Sequence, residues 1–141
     1  AWIAFDVISL QADISQDYDI FGNAPDMFIT IWHDADCDSV IDSEESAYSS
    51  DYKLDSYSVS SSDGMGVVFD IPDDTSEFCF GILVYDSDDS DDDLLDYYNG
   101  QGSWLIWNEA LDDSYTSTIM YSNNGNGESK SVNIEIGVYI W

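Results

Sequence analysis

The chain has 141 residues, of which 30 are acidic and only two, Lys53 and Lys130, are basic, so its formal net charge is −28 at pH 7. Hydrophobic residues nevertheless make up 44% and aromatic residues 15%, which excludes a disordered acidic tail and allows one folded domain over 1–141. The charge opposes binding to nucleic acid and to anionic membranes, and it indicates cations as the natural small partners.

Short apolar runs separated by turn residues recur along the whole chain. They alternate with a period of two or are rich in β-branched and aromatic residues, which predicts strands, and no stretch shows helical periodicity. In chain order, the predicted strands are 2–10, 27–32, 52–60, 67–71, 78–85, 104–107, 117–121 and 132–141. The run 104–107 is also compatible with a short helical turn. Strands at this spacing predict an all-β, antiparallel sandwich.

Both ends of the chain, 1–10 and 132–141, are apolar and aromatic. We expect each to lie in a sheet or against a partner, and an exposed terminal strand would let a neighbouring copy add to the sheet. The sequence shows neither a basic-then-apolar leader nor an apolar run of membrane-spanning length. We therefore expect a mature extracellular chain, secreted or at the cell surface, although a piece of a longer protein would look the same.

The chain has two cysteines, Cys37 and Cys79. In a secreted chain, an even pair predicts a disulfide. Two free, buried thiols are the alternative, and composition alone leaves both states open.

The predicted strand 78–85 ends abruptly in an acidic run, 86–96, which holds seven aspartates in eleven residues. Aspartates this close repel one another unless cations or water screen them. A solvated loop and a surface adapted to high salt are two interpretations of the run. The third is a calcium loop, since Ca²⁺ takes about six to eight oxygen ligands, many of them from carboxylates. An Asp-x-Asp pair directly after a buried strand favours calcium.

Three segments, in order, resemble the motifs of a known family. Phe21–Ile31 (FGNAPDMFITI) is similar to the family's G-x-S-D-P-Y-V-x-V with Pro and Asp exchanged, and Val67–Pro72 (VVFDIP) is similar to its F-x-F-x-V-P. Leu83–Asp88 (LVYDSD), followed by Asp93–Leu95, is similar to its V-x-D-x-D pattern, which a further Asp and an aliphatic pair complete. Through these motifs nearly the whole chain resembles a C2 domain, a calcium-binding β-sandwich.

The resemblance implies a Greek-key sandwich of about eight strands, in which loops at one end gather aspartates around calcium. Carried over by motif, the implied ligands are Asp19, Asp26, Asp86, Asp88 and Asp93. The spacing leaves Asp17 as the alternative to Asp19 and Asp92 as the alternative to Asp93, and Asp63 would lie at the same end. Family members bind membranes through calcium and often through basic or apolar loop tips. The loop tips here are acidic and Ser-rich, so we expect no membrane binding.

A second acidic segment, 34–45, matches the calcium loop of an EF-hand. Acids stand at loop positions 1, 3, 5, 9 and 12, an aliphatic residue stands at position 8, and position 7 offers its main-chain carbonyl. The predicted ligands are Asp34, Asp36, Asp38, Val40, Asp42 and Glu45. Ser39 stands where the turn of such a loop prefers Gly, and a predicted strand, 27–32, replaces the first flanking helix. The alternative is a solvated acidic loop.

The resemblance also predicts where this second loop lies. With Asp26 at one end of the sandwich, the strand 27–32 runs to the opposite end and brings Cys37 there. The strand 78–85 runs back toward the first end, so Cys79 starts near the opposite end as well. A Cys37–Cys79 disulfide would then hold the loop against the core, and cation sites would occupy both ends.

Catalytic motifs are lacking in the sequence. His33 is the only histidine, and it is better interpreted as a strand-end residue than as a base beside Asp34. No Ser-His-Asp set, phosphate-binding loop or Cys/His zinc spacing is present. We therefore expect no enzymatic activity.

These features predict a secreted calcium-binding structural protein that self-assembles into an extracellular filament or surface layer, with Ca²⁺ stabilising loops and subunit contacts. One alternative is a calcium-dependent glycan- or lipid-binding module, in which some of the five tryptophans would form a sugar platform. The other is a halophile's acidic domain without specific ion sites.

Overall fold

The computed structural model describes residues 2–14, 18, 24–38, 40, 44–72, 77–88, 92–98, 104–107, 115–122 and 132–140. Ten strands lie in these ranges: β1 (Trp2–Ala12), β2 (Met27–His33), β3 (Ala47–Ser49), β4 (Ser58–Ser60), β5 (Gly66–Asp70), β6 (Glu77–Asp86), β7 (Asp93–Tyr98), β8 (Trp104–Trp107), β9 (Tyr115–Ser122) and β10 (Val132–Ile140). Helical structure in the same ranges is one 3-10 turn, Ser61–Asp63, and no helix there is long and apolar enough to cross a bilayer. The prediction of an all-β chain is confirmed.

The first sheet is organised around β1. Along one side of β1 runs β10, antiparallel, with Ile3 opposite Ile140, and β9 continues the sheet beyond β10. The other side of β1 is shared by β5, beside residues 2–6, and β4, beside residues 9–11. Both terminal strands therefore lie inside the sheet. The expectation that a terminal strand offers a free edge is wrong, because both sides of β1 and β10 are already paired.

The second sheet has β2 and β6 at its centre. They pair antiparallel from Met27 opposite Asp86 to His33 opposite Phe80. β3 adds to the outer side of β2, while β8 and β7 share the outer side of β6. Because successive strands repeatedly change sheet, the chain forms an antiparallel Greek-key sandwich, as predicted.

The two ends of the sandwich are named from the directions of β2 and β6. The upper end is where β2 begins and β6 ends, so Asp26 and Asp86 lie there. The lower end is the one where β2 finishes at His33 and β6 begins at Glu77.

The core between the sheets is aromatic toward the lower end. The Phe5 ring centroid lies 4.6 Å from that of Phe80, 5.9 Å from that of Phe69 and 6.5 Å from that of Phe78. Burial of each large apolar side chain contributes about 1.5 to 3 kcal/mol. Both sheets contribute aliphatic residues to the same core, namely Ile3, Val7, Leu10, Met27, Ile29, Ile31, Ile82, Val84, Leu95, Ile134, Ile136 and Val138.

Local predictions fail at three strand boundaries. The predicted strand 52–60 is a strand only at Ser58–Ser60, because Lys53 makes an isolated bridge to β2 and the chain turns at Asp55 with φ 43°. β3 forms where no strand was predicted, and β7 begins at Asp93 inside the acidic run. These polar segments have low intrinsic strand propensity, and they become strands because they pair with β2 and β6.

Gly64 ends the 3-10 turn in a left-handed conformation, with φ 67°. A Cβ added here would meet nothing within 4 Å, so a substitution acts through backbone conformation alone. We expect Gly64→Ala to lower the free energy of unfolding by about 1 to 2 kcal/mol, and Gly64→Asn by less, since Asn tolerates this conformation. Urea unfolding of the three proteins measures the difference, and equal losses in both variants would contradict the explanation.

Candidate metal centre

Four carboxylates meet at the lower end of the sandwich. They belong to Asp34, Asp36, Asp38 and Glu45, and one oxygen of each lies within 4.8 Å of the other three. We call this group the acidic cluster. Among the residues that the structure describes, no other group of three or more acidic, histidine or cysteine side chains comes together in this way. The cluster unites positions 1, 3, 5 and 12 of the predicted calcium loop.

Strands β2 and β6 fix the first residue of the cluster. Asp34 directly follows β2, its N–H donates to the Cys79 carbonyl of β6 at 2.9 Å, and its side chain is only 1% exposed. At the far end of the loop, His33 N–H donates to the Ser46 carbonyl at 2.8 Å. Both ends of the loop 34–46 are therefore fastened to rigid strands, which limits how far the carboxylates can separate.

A disulfide joins the first half of the same loop to β6. It links Cys37 to Cys79, with a Cα–Cα distance of 5.4 Å, and no cysteine in the described chain is free. Cys79 is buried and Cys37 is half-buried. The acidic part of the loop is thus held close to the core at the lower end.

Glu45 closes the cluster from the far end of the loop. Its Oε1 accepts a hydrogen bond from Trp32 Nε1–H at 3.2 Å, and its Oε2 accepts one from Ala35 N–H at 2.6 Å. These two donors orient the carboxylate toward the start of the loop. They also place the buried indole ring of Trp32 directly beside the cluster.

Hydrogen bonds within the loop fold Asp36 and Asp38 back over Asp34. Cys37 N–H donates to the Asp34 carbonyl at 3.2 Å, Asp38 N–H donates to Asp34 Oδ1 at 3.2 Å, and Val40 N–H donates to Asp38 Oδ1 at 2.8 Å. Cys37 has a left-handed backbone, φ 54°, which is uncommon for a residue other than glycine. This kink turns two exposed carboxylates toward a buried one.

The donor set fits a hard cation such as Ca²⁺. Oxygens bound to one Ca²⁺ at about 2.3 to 2.6 Å lie at most about 4.6 to 5.2 Å apart, a limit that the cluster satisfies. Four carboxylates would leave about two to four positions for other oxygens. Val40, predicted to offer its carbonyl, is exposed next to Asp38, while Asp42 and Ser39 lie outside the described residues.

The surroundings of Asp36 in the cluster raise its pKa to about 6. The largest cause is partial desolvation by the surrounding loop, although the side chain itself is exposed, and hydrogen bonds with the carboxyl groups of Asp34 and Asp38 come next. Without a cation, the cluster therefore retains a proton more readily than an isolated aspartate. A bound cation would take the place of that proton.

Proton and cation should compete at Asp36, so calcium affinity should fall as the pH is lowered from 7 through about 6. The raised pKa also means that, without cation, Asp36 favours the folded state at low pH, and this contribution is lost as the pH rises through about 6. Calorimetric titrations at pH 6, in buffers of different ionisation enthalpy, should show proton release on binding. Asp36→Asn should reduce that release, and buffer-independent heats would contradict the competition.

At the upper end, buried Asp86 organises the predicted C2-type site. Asp86 is 0% exposed, and its Oδ1 accepts a hydrogen bond from Asp26 N–H at 2.7 Å. The Asp26 carbonyl accepts a bond from Ser87 N–H at 2.9 Å, and Asp26 Oδ1 accepts one from Asp55 N–H at 2.7 Å. Three loops are thereby fastened around two carboxylates. Asp55 was not predicted to lie at this end. The only local signal for it in the sequence is the Leu-Asp-Ser turn.

The remaining upper-end aspartates are arranged less closely. Asp93 stands directly opposite Asp86 in the β6–β7 ladder, and Asp88 N–H donates to Asp92 Oδ1 at 3.0 Å. Asp19 and its alternative Asp17 lie outside the described residues. Within the described chain, Asp26, Asp86, Asp88 and Asp93 do not converge as the acidic cluster does. The ligand set at this end remains a prediction.

Lys53 neutralises one carboxylate at the upper end. Its Nζ lies 2.9 Å from Asp63 Oδ2, and Lys53 itself bridges to Met27. A hydrogen bond from Ser60 N–H and then the bond from Lys53 lower the pKa of Asp63. Asp63 thus lies at the predicted end but is bound to an ammonium group.

His33 is a strand-end residue with an apolar environment. Its ring stacks on Phe78 at 4.3 Å between centroids. Burial lowers the pKa of His33, against the opposing charge of Asp34. The imidazole is therefore neutral near pH 7 and acts as part of the core edge.

Solved structures share the fold of this chain, whereas no protein-family model and no curated protein sequence matches it. A C2 domain protein from Ramazzottius varieornatus aligns over 99% of this chain and 88% of its own, with a TM-score of 0.59 and 14% identity. A calcium-bound structure of two C2 domains of extended-synaptotagmin 2 aligns over 98% of this chain, with a TM-score of 0.59 and 10% identity. Human GIVD cytosolic phospholipase A2 aligns over the same share, with a TM-score of 0.61 and 9% identity.

The fold is therefore C2-like, as the motifs predicted. The chain spans 17% of the phospholipase chain and 44% of the extended-synaptotagmin chain, so it matches only part of those longer chains. At these identities the likeness concerns the fold alone. At the lower end, this chain has an acidic cluster that could hold a metal ion.

Proposed function

We propose that this protein is a secreted calcium-binding structural protein that assembles with copies of itself. The observation that carries the proposal is the acidic cluster, four carboxylates within 4.8 Å on a loop that strands and a disulfide hold in place. So many like charges are unfavourable together unless a cation binds among them. The disulfide supports an oxidising, extracellular location.

A second calcium site at the upper end is part of the proposal. Asp86 is buried and faces Asp93 across the ladder, and like charges placed opposite each other destabilise a sheet unless something neutralises them. The extended-synaptotagmin 2 structure with the same fold is described as calcium bound. Asp26 and Asp88, and Asp19 from the preceding loop, are the further ligands that we propose.

Trp32 offers a direct test of calcium binding at the acidic cluster. Tb³⁺ is a hard cation that prefers the same oxygen ligands, and it emits when a nearby tryptophan is excited. Because Trp32 donates to Glu45 in the cluster, we expect strong emission on tryptophan excitation and loss of that emission when Ca²⁺ is added in excess. An oxidised protein without sensitised emission would contradict a site at the cluster.

Two pairs of substitutions control this experiment. Asp36→Asn with Asp38→Asn keeps the shape of the loop, and it should abolish the emission. Asp6→Asn with Glu135→Gln removes the same charge from the first sheet, away from the cluster, and it should leave the emission unchanged. Equal loss in both pairs would mean that net charge, rather than a specific site, attracts the cation.

In this proposal, the charge of the surface makes self-assembly dependent on calcium. With a net charge of −28, two copies repel each other unless cations lie between them, so assembly should depend on calcium. β3 and β5 lie at sheet edges and offer places for contact between copies. Electron microscopy and sedimentation should show particles in Ca²⁺ that disperse in EDTA. Particles that persist after chelation, or no particles in either condition, would contradict calcium-bridged assembly.

One observation favours a calcium-dependent lipid- or glycan-binding module instead. At the upper end, Tyr52 and Leu54 are 53% and 65% exposed, next to Asp55, which bonds to Asp26. Such apolar tips could enter a bilayer once calcium had neutralised the carboxylates around them. Calcium-dependent binding to phosphatidylserine vesicles, lost in Tyr52→Ser with Leu54→Ser, would support this function. Stabilisation by molar NaCl equal to that by Ca²⁺ would instead favour a halophile's domain.

A further inference from the structure

The Cys37–Cys79 disulfide fastens a particular part of the loop 34–46. The two ends of the loop are held by hydrogen bonds, from Asp34 N–H to the Cys79 carbonyl and from His33 N–H to the Ser46 carbonyl. Between them, the N–H groups of Cys37 and Asp38 donate to Asp34, within the loop itself. The S–S bond is the covalent tie to β6 from the part of the loop that carries Asp36 and Asp38. Breaking it would leave the hydrogen bonds at the loop ends in place and remove the covalent constraint on Cys37.

Cys37 is the residue through which such a break would act. Its φ of 54° belongs to a region that side chains other than glycine rarely occupy unless their surroundings impose it. Without its bond to Cys79, Cys37 can return to an ordinary backbone conformation. Asp36 and Asp38, its direct neighbours, would then turn away from Asp34. The cluster would lose the arrangement in which its four carboxylates meet.

Cys37 is also the more exposed of the two cysteines. Cys37 is half-buried, whereas Cys79 is 4% exposed. A thiolate from solvent therefore attacks Cys37 Sγ, and Cys79 Sγ leaves. With a dithiol reductant, its second thiolate resolves the mixed disulfide. Two electrons and two protons end on the two cysteines, and the reductant becomes a cyclic disulfide.

We propose that the Cys37–Cys79 disulfide is a redox latch on cation binding. When a dithiol reduces this disulfide, the calcium affinity of the acidic cluster falls. The inference rests on the proposed calcium function. Because coupling between two equilibria is reciprocal, the bound cation must make the disulfide harder to reduce by the same factor as reduction weakens cation binding.

We expect reduction to weaken calcium binding at the cluster about tenfold or more, since a preorganised site becomes a mobile one. Saturating Ca²⁺ should then lower the reduction midpoint of the disulfide by about 30 mV or more, which is the equivalent of a tenfold change for a two-electron couple. Both changes can be measured on the wild-type protein by reducing its disulfide.

The experiment equilibrates the whole protein with dithiothreitol buffers of graded potential, in Ca²⁺ or in EDTA, and counts free thiols by alkylation. Far-UV circular dichroism at each potential monitors the sandwich. Asp36→Asn with Asp38→Asn is carried through the same series. Its midpoint should be the same in Ca²⁺ and EDTA, because the route of coupling has been removed while the disulfide is intact.

Each outcome decides the inference. Equal midpoints in Ca²⁺ and EDTA, in a protein that binds Ca²⁺ when oxidised, would overturn the latch and leave the proposed function standing. A calcium-dependent shift that persists in the Asn variant would overturn it, because the coupling would come from elsewhere. Loss of the β-sheet signal on reduction would replace a local latch by global unfolding. Absence of calcium binding to the oxidised protein would overturn both proposals.

Discussion

Calcium should raise the free energy of unfolding of the wild-type protein, and Asp36→Asn with Asp38→Asn should remove the part of that gain contributed by the acidic cluster. A ligand that binds only the folded state stabilises it by about 2.7 kcal/mol when its free concentration is about one hundred times its Kd. For a chain of this size, that corresponds to a rise in Tm of roughly 5 to 11 °C. The Asn side chain keeps an oxygen for Val40 N–H, so the loop retains its shape.

In EDTA, the wild type should no longer be more stable than the variant with Asp36→Asn and Asp38→Asn. There the Asn variant should be at least as stable as the wild type, because two of four crowded negative charges are gone. Thermal unfolding followed by circular dichroism, in Ca²⁺ and in EDTA at equal ionic strength, tests both statements. Asp6→Asn with Glu135→Gln serves as the charge-matched control. A variant that is less stable than wild type in both conditions would show that these carboxylates are structural acceptors rather than cation ligands.

Cys37→Ala with Cys79→Ala should lower the free energy of unfolding by about 4 kcal/mol, the chain-entropy value for closing a loop of this length. The two cysteines are 42 residues apart in sequence, so the bond restricts a long segment of the unfolded chain. The loss should be greater in Ca²⁺ than in EDTA, because the variant also binds calcium less tightly once Cys37 is no longer tied to β6.

Urea unfolding measures this loss, and Cys37→Ala alone is the matched control, since it lacks the bond but keeps the buried sulfur of Cys79. The single and double variants should lose similar amounts. A loss below about 1 kcal/mol in the double variant would mean that the bond hardly restricts the unfolded chain.

Features that are local in sequence could be predicted. Alternation of apolar residues identified β10, because a strand buried on one face repeats every two residues, and β-branched and aromatic content identified β2. The acidic cluster could be predicted for a similar reason. Asp34, Asp36, Asp38 and Glu45 come from one twelve-residue loop pattern, so their spacing alone indicates that they can meet.

Features that depend on distant pairing could not be predicted in the same way. β3 has three residues, too few to show a period, and β7 begins with an aspartate inside an acidic run. The upper end combines Asp26, Asp55 and Asp86 from three separate segments, and only the folded sheet reveals that Asp55 N–H caps Asp26. The interior position of both terminal strands likewise follows from pairing across almost the whole chain.

The pairing of β1 with β10 affects when the first sheet can fold. Of the ten strands β1 is made first, yet its neighbour β10 is made last, and Ile3 cannot meet Ile140 until nearly all 141 residues exist. A sheet whose central contact spans the whole sequence folds slowly, because the entropy of closing so long a loop is lost before the contact forms. The first sheet is therefore complete only after all of its strands have been synthesised, whereas the strands of the second sheet are all made before β10.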